Sequence, residues 1–236
     1  MLKWCGIIRY IRFFLIVLAC QITTTLSEAS ETLRLVTETT RPLNQKGLPY
    51  IKCALTKSGH SIEITSMPWA RAQLVTERGL HDGFFVASQN DKRDQYAIMS
   101  EPFFSIDWLF IVNKESGLSP DNPKFQNGIF AANRGSARNA WLKGKYDDGI
   151  ISHEVVTTTD AMRALMMLAL GRVDIVLENS INLEAVFQQT GYTSSDFQSF
   201  VAKSVPMGVY FNKDFLNGHP DFLARFNANV KNCINQ

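Results

Sequence analysis

The stretch that decides the fold is LHDGFFVASQNDKRDQYAIMSEPFF, residues 80–104. Within it, residues 83–87 form a short apolar run typical of a buried strand, and the polar residues 88–91 form a turn at its end. In an open α/β sheet, ligands bind just beyond the carboxyl ends of the strands, which is where Ser88 and Arg93 would lie. Because a guanidinium can hold a carboxylate with two parallel hydrogen bonds, this stretch predicts an anion site.

The same stretch resembles lobe 1 of the periplasmic solute-binding proteins of the amino-acid type, family 3. In that family, a strand that starts at Asp-Gly ends in Ser or Thr, an Arg follows, and a Ser-x-Pro-aromatic element comes next. The matching residues of this chain are Asp82, Gly83, Ser88, Arg93, Ser100, Pro102 and Phe103. Taken without the resemblance, Arg93 would more often form a surface ion pair with Asp91 or Asp94.

The resemblance extends over residues 33–232 through dispersed positions. It implies an α/β fold, the two-lobe periplasmic-binding-protein-like fold of type II, in which helices flank a mostly parallel sheet in each lobe and two crossings form the hinge. Residues 31–105 would form the first part of lobe 1 and residues 106–205 lobe 2. Residues 206–236 would return to lobe 1 and end in a C-terminal helix.

The N-terminus has the pattern of an export signal. Residues 1–12 carry three basic residues and no acidic one, and residues 13–19 form an unbroken apolar run. That run is too short for a membrane span, which needs about 20 apolar residues. We therefore expect residues 1–27 to be a signal peptide and the mature protein to be periplasmic. Lipid anchoring at Cys20 is the less favoured alternative.

The charge of the mature chain argues against a polyanionic partner. Three of the 24 basic residues and none of the 22 acidic ones lie in residues 1–27, which leaves 21 basic against 22 acidic residues. Such a balance provides no strong positive field for nucleic acid or anionic lipid. The roughly 200 mature residues suffice for two lobes of ordinary size.

Two cysteines, Cys53 and Cys233, remain after the signal is removed. In an oxidising compartment, a pair of cysteines more often forms a disulfide than two free thiols. The resemblance supports a Cys53–Cys233 bridge, because it places the first helix and the C-terminal helix in the same lobe. A metal site is less favoured, since neither cysteine has the spacing of a zinc motif.

The loop at Gly135-Ser136-Ala137 precedes a predicted helix in lobe 2. The N-terminus of a helix offers free backbone N–H groups and the positive end of the dipole, which suits an anion. In the resembling family, the matching Gly-Ser or Gly-Thr binds the ligand carboxylate from the side opposite the arginine. Ser136 could also serve as a simple N-cap.

Two residues of lobe 1 are further candidates. The resemblance places Glu38, at the end of the first strand, next to the ligand, although Glu38 could equally pair with Arg41 on a solvated turn. Trp69, at a helix start, is either a wall of the cleft or a packing residue, with equal weight. A helix is expected at residues 48–58, and the segment before it, around Gly47, is shorter than in the family.

The strand that follows Gly171 ends at Glu178 and Asn179. Family members that bind α-amino acids usually carry Asp at the position of Asn179, where it neutralises the ammonium group. Here that residue is neutral, and Glu178 would have to turn inward to compensate. Since a buried ammonium without a carboxylate is costly, an ordinary α-amino acid is a poorer expectation than the fold.

The candidate ligand-binding residues are Glu38, Trp69, Val86, Ser88, Arg93, Ser136, Ala137, Glu178 and Asn179. The expected ligand is a small carboxylate-bearing solute, and the expected partner is an ABC permease in the inner membrane, with the binding protein a monomer. No cofactor or metal is expected. Residues 192–200 are expected to be polar with aromatics and to lie at the surface, before the return crossing at residues 201–204 and 206–211.

Binding is favoured over catalysis, because the sequence has no nucleophile elbow, Walker loop, Rossmann fingerprint or zinc spacing. Two alternatives remain. One is an enzyme on the same fold that resembles cyclohexadienyl dehydratase, with Glu38 or Glu178 as acid or base. The other is an orphan sensory or accessory module with a degraded cleft.

Overall fold

Residues 31–234 are described by the computed structural model. The predicted signal peptide, residues 1–27, and the alternative lipidation site, Cys20, lie outside the described residues. The strands are β1 (Thr32–Thr37), β2 (Ser61–Ser66), β3 (Gly83–Ala87), β4 (Ala97–Met99), β5 (Phe104–Asn113), β6 (Phe130–Asn133), β7 (Val156–Thr158), β8 (Ile175–Asn179) and β9 (Phe197–Asn212). The α-helices are α1 (Pro42–Lys57), α2 (Trp69–Glu77), α3 (Asp91–Asp94), α4 (Ala137–Asp147), α5 (Ala161–Ala169), α6 (Ser180–Thr190), α7 (Lys213–Gly218) and α8 (Phe222–Ile234).

The strands form two mostly parallel halves that share one long strand. In the first half, β1 lies between β2 and β3 and runs parallel to both, and β9 pairs antiparallel with β3 and β4. In the second half, β6 runs parallel to β7 and β8, and β5 pairs antiparallel with β8 and β9. The chain passes between the halves along β5 and β9, so the structure is a two-lobe α/β fold with two crossings.

Strand β3 shows why the central stretch decides the fold. All five of its residues are buried, as expected for an apolar strand in the middle of a sheet that helices cover on both faces. Strand β2, at the edge of the same sheet, alternates between exposed and half-buried residues instead. The predicted limits of β3 are confirmed, because a continuous apolar run bounded by Gly83 and a polar turn leaves little choice of register.

Three local expectations differ from the structure. Helix α1 begins at Pro42 rather than near residue 48, since proline is well suited to the first helical position. Strand β9 begins at Phe197 rather than at Val201, and residues 197–200 already pair with β5. Helix α6 was not predicted, although Asn179 caps it at the end of β8.

The first and last helices are joined covalently. Cys53 of α1 and Cys233 of α8 form a disulfide, with Cα atoms 6.1 Å apart, and the two helices pack on each other. This confirms the predicted pairing. In the described part of the chain, no helix combines the length and the apolar character needed to cross a membrane.

We predict that the Cys53–Cys233 disulfide contributes about 2–5 kcal/mol to the free energy of unfolding, because it closes most of the chain into one loop. Reduction with dithiothreitol should lower the urea midpoint of the purified protein by a corresponding amount. The double variant Cys53→Ala/Cys233→Ala is the control, and its midpoint should not respond to the reductant. An unchanged midpoint on reduction of the natural protein would contradict this contribution.

Candidate functional site

A small cavity lies where the carboxyl end of β3 meets the chain segments that follow β6 and β8. Its volume is about 30 Å³. Both halves of the sheet contribute to its wall, as expected for a ligand site in an α/β fold. The lining residues are Arg41, Leu43, Asn44, Trp69, Val86, Ala87, Ser88, Arg93, Ser136, Ala137, Arg138, Asn179, Asn182 and Met207.

Arg93 is the central cation of this cavity. Its side chain is buried, with only 3% of the residue exposed, and all three guanidinium nitrogens donate hydrogen bonds to the protein. Nη1 donates to the carbonyl of Ser88 at 2.7 Å, Nε to Oε1 of Gln73 at 2.9 Å, and Nη2 to the carbonyl of Gly135 at 3.3 Å. Nη1 and Nη2 each carry a second N–H, so two donors remain for a ligand.

Helix α3 and three aromatic rings position Arg93. Asn90 caps α3, and its Oδ1 accepts a hydrogen bond from the backbone N–H of Arg93 at 3.4 Å. The guanidinium lies within 6.0 Å of the ring centroids of Trp69, Phe84 and Tyr210. This cation–π environment favours the charged form, and the surface ion pair with Asp91 or Asp94 considered from the sequence is not what the structure shows.

The charge of Arg93 is only partly compensated. Burial lowers the pKa of Arg93 to about 10, and the charge of Arg138 acts in the same direction, whereas Tyr210 and Asp94 oppose it. The protein thus holds a cation in a place where water does not solvate it fully. An anion bound next to Arg93 would relieve this cost.

The two halves of the molecule meet at Gly135. Its carbonyl accepts hydrogen bonds from Nε2 of Gln73 at 3.0 Å and from Arg93, both of which belong to the opposite half. Gly135 has φ of +69°, a conformation that glycine adopts without strain. A Cβ atom at this position would lie 3.3 Å from Nε2 of Gln73 and 3.5 Å from Cβ of Ala70. The contact across the cleft therefore depends on a residue without a side chain.

Ser136 caps α4, as one of the two predicted roles requires. Its Oγ accepts from the backbone N–H of Asn139 at 3.0 Å and donates to the carbonyl of Asn133 at 2.7 Å. The hydroxyl proton of Ser136 is therefore already committed. The N-terminus of α4, at Ala137 and Arg138, lines the cavity, and the first N–H groups of a helix have no intrahelical acceptor. These groups add a second source of positive potential.

Glu178 turns inward, as it would have to do in order to neutralise an ammonium group. A cation of the protein, the guanidinium of Arg138, already lies beside it. Nη2 of Arg138 lies 2.7 Å from Oε1 of Glu178. The same oxygen accepts from the backbone N–H and from Nδ2 of Asn179, at 2.7 and 2.8 Å, and from Nδ2 of Asn182 at 3.3 Å. Glu178 is 3% exposed and does not belong to the cavity wall.

Two buried polar atoms beside this ion pair lack a partner within residues 31–234. They are Nε of Arg138 and Oδ1 of Asn182, on residues that are 6% and 8% exposed. Both residues line the cavity. A buried donor or acceptor without a partner costs about 1–3 kcal/mol, so each would gain from a matching ligand atom.

Of the two further candidates of lobe 1, Trp69 combines both roles considered from the sequence, whereas Glu38 shows only the ion pair with Arg41. Glu38 pairs with Arg41 at 2.7 Å, and its Oε2 also accepts from the backbone N–H of Trp69 at 3.2 Å. Trp69 packs edge-on against Phe84 and lines the cavity as well. Glu38, like Glu178, lies behind an arginine of the wall rather than in the wall itself.

Val86 is held in the wall by α1. Oδ1 of the buried Asn44 accepts from the backbone N–H of Val86 at 3.2 Å. A Cβ atom at Gly47 would lie 2.2 Å from Cγ2 of Val86, so the glycine is required by close packing of α1 on β3. The segment around Gly47 is thus a helix that supports the cavity.

Seven of the nine candidate residues line the cavity, and Glu38 and Glu178 pair with arginines that do. The residues that sequence reasoning missed include Arg41, Asn44, Arg138, Asn182 and Met207. Arg138 had a usable signal, because it is the second residue of a helix already predicted to bind an anion. Within the part of the chain that the structure describes, no group of His, Cys, Asp and Glu side chains could hold a metal.

Comparison with solved structures identifies the architecture. A histidine kinase sensor domain with similarity to periplasmic binding proteins matches with a TM-score of 0.71 and 14% identity, over 86% of this chain and 90% of that one. The fold is that of the periplasmic binding proteins. This periplasmic-binding-protein fold also includes a histidine-bound ABC substrate-binding protein of Streptococcus pneumoniae, with a TM-score of 0.70 and 16% identity over 85% of this chain and 86% of that one.

A third structure with this fold is the arginine-bound, truncated ArgBP of T. maritima, with a TM-score of 0.65 and 19% identity over 85% of this chain and 95% of that one. No protein-family model and no curated protein sequence matches this chain. At these sequence identities, structural similarity establishes the fold but not the ligand.

We predict that Gly135→Ala and Gly171→Ala both destabilise the protein, because each places a side chain at positive φ, at a cost of about 1–2 kcal/mol. Gly171 is the matched control, since nothing lies within 4 Å of a Cβ atom there. Gly135→Ala should be the more costly change in urea unfolding and should alone shift the side-chain amide resonances of Gln73. Equal destabilisation with unshifted Gln73 resonances would contradict a contact at Gly135.

Proposed function

We propose that this protein is an exported solute-binding protein whose two lobes close over a small carboxylate-bearing solute. The observation that carries the proposal is the composition of the cavity wall. It contains three arginines, Arg41, Arg93 and Arg138, and no Asp or Glu among the described residues. Such a wall favours an anion over a cation or a neutral solute.

The two lobes contribute different parts of the anion site. Arg93, which offers its two remaining N–H groups, and Ser88 would hold the carboxylate from lobe 1, and the start of α4 at Ser136 and Ala137 would approach it from lobe 2. Bidentate contact with a guanidinium and contact with a helix N-terminus are both recurrent ways to bind a carboxylate.

Closure of the lobes is the proposed mechanism. We assign residues 31–105 and 206–236 to lobe 1 and residues 106–205 to lobe 2, with movement at the β5 and β9 crossings. The solute would bind the closed arrangement better than the open one and so shift the population toward closure. The hydrogen bonds from Gln73 and Arg93 to Gly135 support this mechanism, because they form only when the lobes meet.

Delivery to an ABC permease in the inner membrane is the proposed use of the closed form. The N-terminal pattern of the sequence supports export to the periplasm. The fold shared with a histidine-bound ABC substrate-binding protein supports the same role. Monomeric action is proposed with it, since both lobes of one chain complete the cavity.

A second candidate function is a sensory or accessory module, and the similarity to a histidine kinase sensor domain favours it. In that case the closed shape would be read by a protein partner rather than by a permease. The enzymatic alternative has less support. Glu38 and Glu178, the proposed acid and base, are each in an ion pair with an arginine at 2.7 Å.

We predict that Arg93→Ala abolishes carboxylate binding, because it removes the buried donors of the anion site. The test is a thermal-shift screen of the purified protein against small carboxylates, amino acids, polyamines and prephenate. A ligand at a hundred times its dissociation constant adds about 2.7 kcal/mol of stability. For a chain of this size, each kcal/mol raises the melting temperature by roughly 2–4 °C.

The matched control is Arg134→Ala, which removes an exposed arginine two residues before Ser136 and should leave the ligand shift unchanged. Melting of Arg93→Ala without ligand separates lost binding from lost folding, since the carbonyls of Ser88 and Gly135 lose donors in that variant. A carboxylate shift that persists in folded Arg93→Ala would contradict the proposed site. Turnover of prephenate would support the enzymatic alternative instead.

A further inference from the structure

The cavity wall has one more arginine than its ion pairs neutralise, and the charge of Asp94 acts on Arg93 only from beyond salt-bridge distance. Two of its three arginines, Arg41 and Arg138, pair with Glu38 and Glu178, at 2.7 Å in each case. Arg93 has no carboxylate within salt-bridge distance among residues 31–234; its three polar contacts are neutral oxygens. Among the described residues, one guanidinium of the wall therefore lacks a paired carboxylate, and no carboxylate lines the wall.

An ammonium group of a solute would find no counter-charge in this cavity. Oε1 of Glu178 already receives four hydrogen bonds, one of them from the guanidinium of Arg138. Asn179, at the other side of that oxygen, is neutral, fully buried, and committed through its Oδ1 to the N-terminus of α6 at 2.8 Å. Arg138 therefore already supplies the cation that pairs with Glu178.

Two residues of the wall carry unpartnered buried atoms. Nε of Arg138 is a buried donor that needs an oxygen acceptor, and Oδ1 of Asn182 is a buried acceptor to which a hydroxyl can donate. Oδ1 of Asn182 could also accept from an ammonium group, but the neutral amide would not compensate the charge of that group. A carboxylate and a hydroxyl of one solute could satisfy both. The small volume of the cavity, about 30 Å³, favours a short solute.

We infer that this site selects a short carboxylate that carries a neutral hydroxyl where an α-amino acid carries its ammonium group, so that 2-hydroxy acids bind and the matching amino acids do not. The inference rests on the proposed function and specifies its solute class. Arg138 is the residue that determines this selectivity. Its guanidinium pairs with Glu178, the carboxylate that could otherwise pair with the ammonium group of an amino acid.

The test compares two solutes of nearly the same shape, L-lactate and L-alanine, by isothermal titration of the purified protein. L-lactate should bind at least about tenfold more tightly, since only L-alanine has to bury an ammonium without a partner. Equal or tighter binding of L-alanine would overturn the inference and leave the proposed function standing. Absence of heat with every small carboxylate and amino acid tested would overturn both.

Variants at Arg138 test its role directly. Arg138→Met frees Glu178 to pair with an ammonium, so the ratio of the two affinities should shift toward L-alanine by about tenfold or more. Arg138→Lys, which keeps the charge, should retain the preference for L-lactate. An unchanged ratio in folded Arg138→Met would overturn the assignment to Arg138.

A double variant covers the case in which Arg138→Met does not fold because Glu178 is left unpaired. Arg138→Met/Glu178→Gln removes both charges of the pair. In this variant L-lactate should still be preferred, because the ammonium of L-alanine finds no carboxylate there. Equal or tighter binding of L-alanine by the folded double variant would overturn the inference.

Discussion

A buried guanidinium between two lobes constrains the rest of this structure. Arg93 lies between a strand end, a helix N-terminus and three aromatic rings, and it reaches acceptors on both sides of the cleft. A buried charge is tolerated only where hydrogen bonds and counter-charges replace water. Here the hydrogen bonds are present and the counter-charge is incomplete, which supports the proposal that the cavity binds an anion.

The surrounding charges are arranged to keep that imbalance. Glu38 and Glu178 lie close enough to neutralise the cavity, yet each pairs with another arginine of the wall. The pKa of Arg138 is lowered by burial and by the charge of Arg41, and Glu178 opposes this shift. The three arginines of the wall with the two paired glutamates thus keep a net positive charge. Because these side chains are largely shielded from water, their attraction for an anion is stronger.

The sequence was most informative where local chemistry limits the choices. The apolar run of β3 with its polar end, the Gly-Ser helix start at Ser136, and the pair Cys53 and Cys233 each predicted the observed element or bond. Long-range packing was less predictable. The ion pair between Arg138 and Glu178 joins residues 40 positions apart, and only the parallel pairing of β6 and β8 brings their ends together.

Residues for which the sequence allowed two roles were also not resolved by the sequence alone. From the sequence, Ser136 was either a cap or a ligand contact, and Trp69 either a wall or a packing residue. The structure shows that Ser136 caps α4 and lines the cavity, and that Trp69 packs on Phe84 and lines it too. Such residues hold the cavity in shape, so the alternatives were not exclusive.

The most direct test of the account is a crystal structure of the protein with bromoacetate, whose bromine can be located by its anomalous scattering. The account predicts a carboxylate within hydrogen-bond distance of Arg93 and of the N-terminus of α4, between closed lobes. Bromine located only outside this cavity, for example in the groove lined by Trp108 and Trp141, would contradict it.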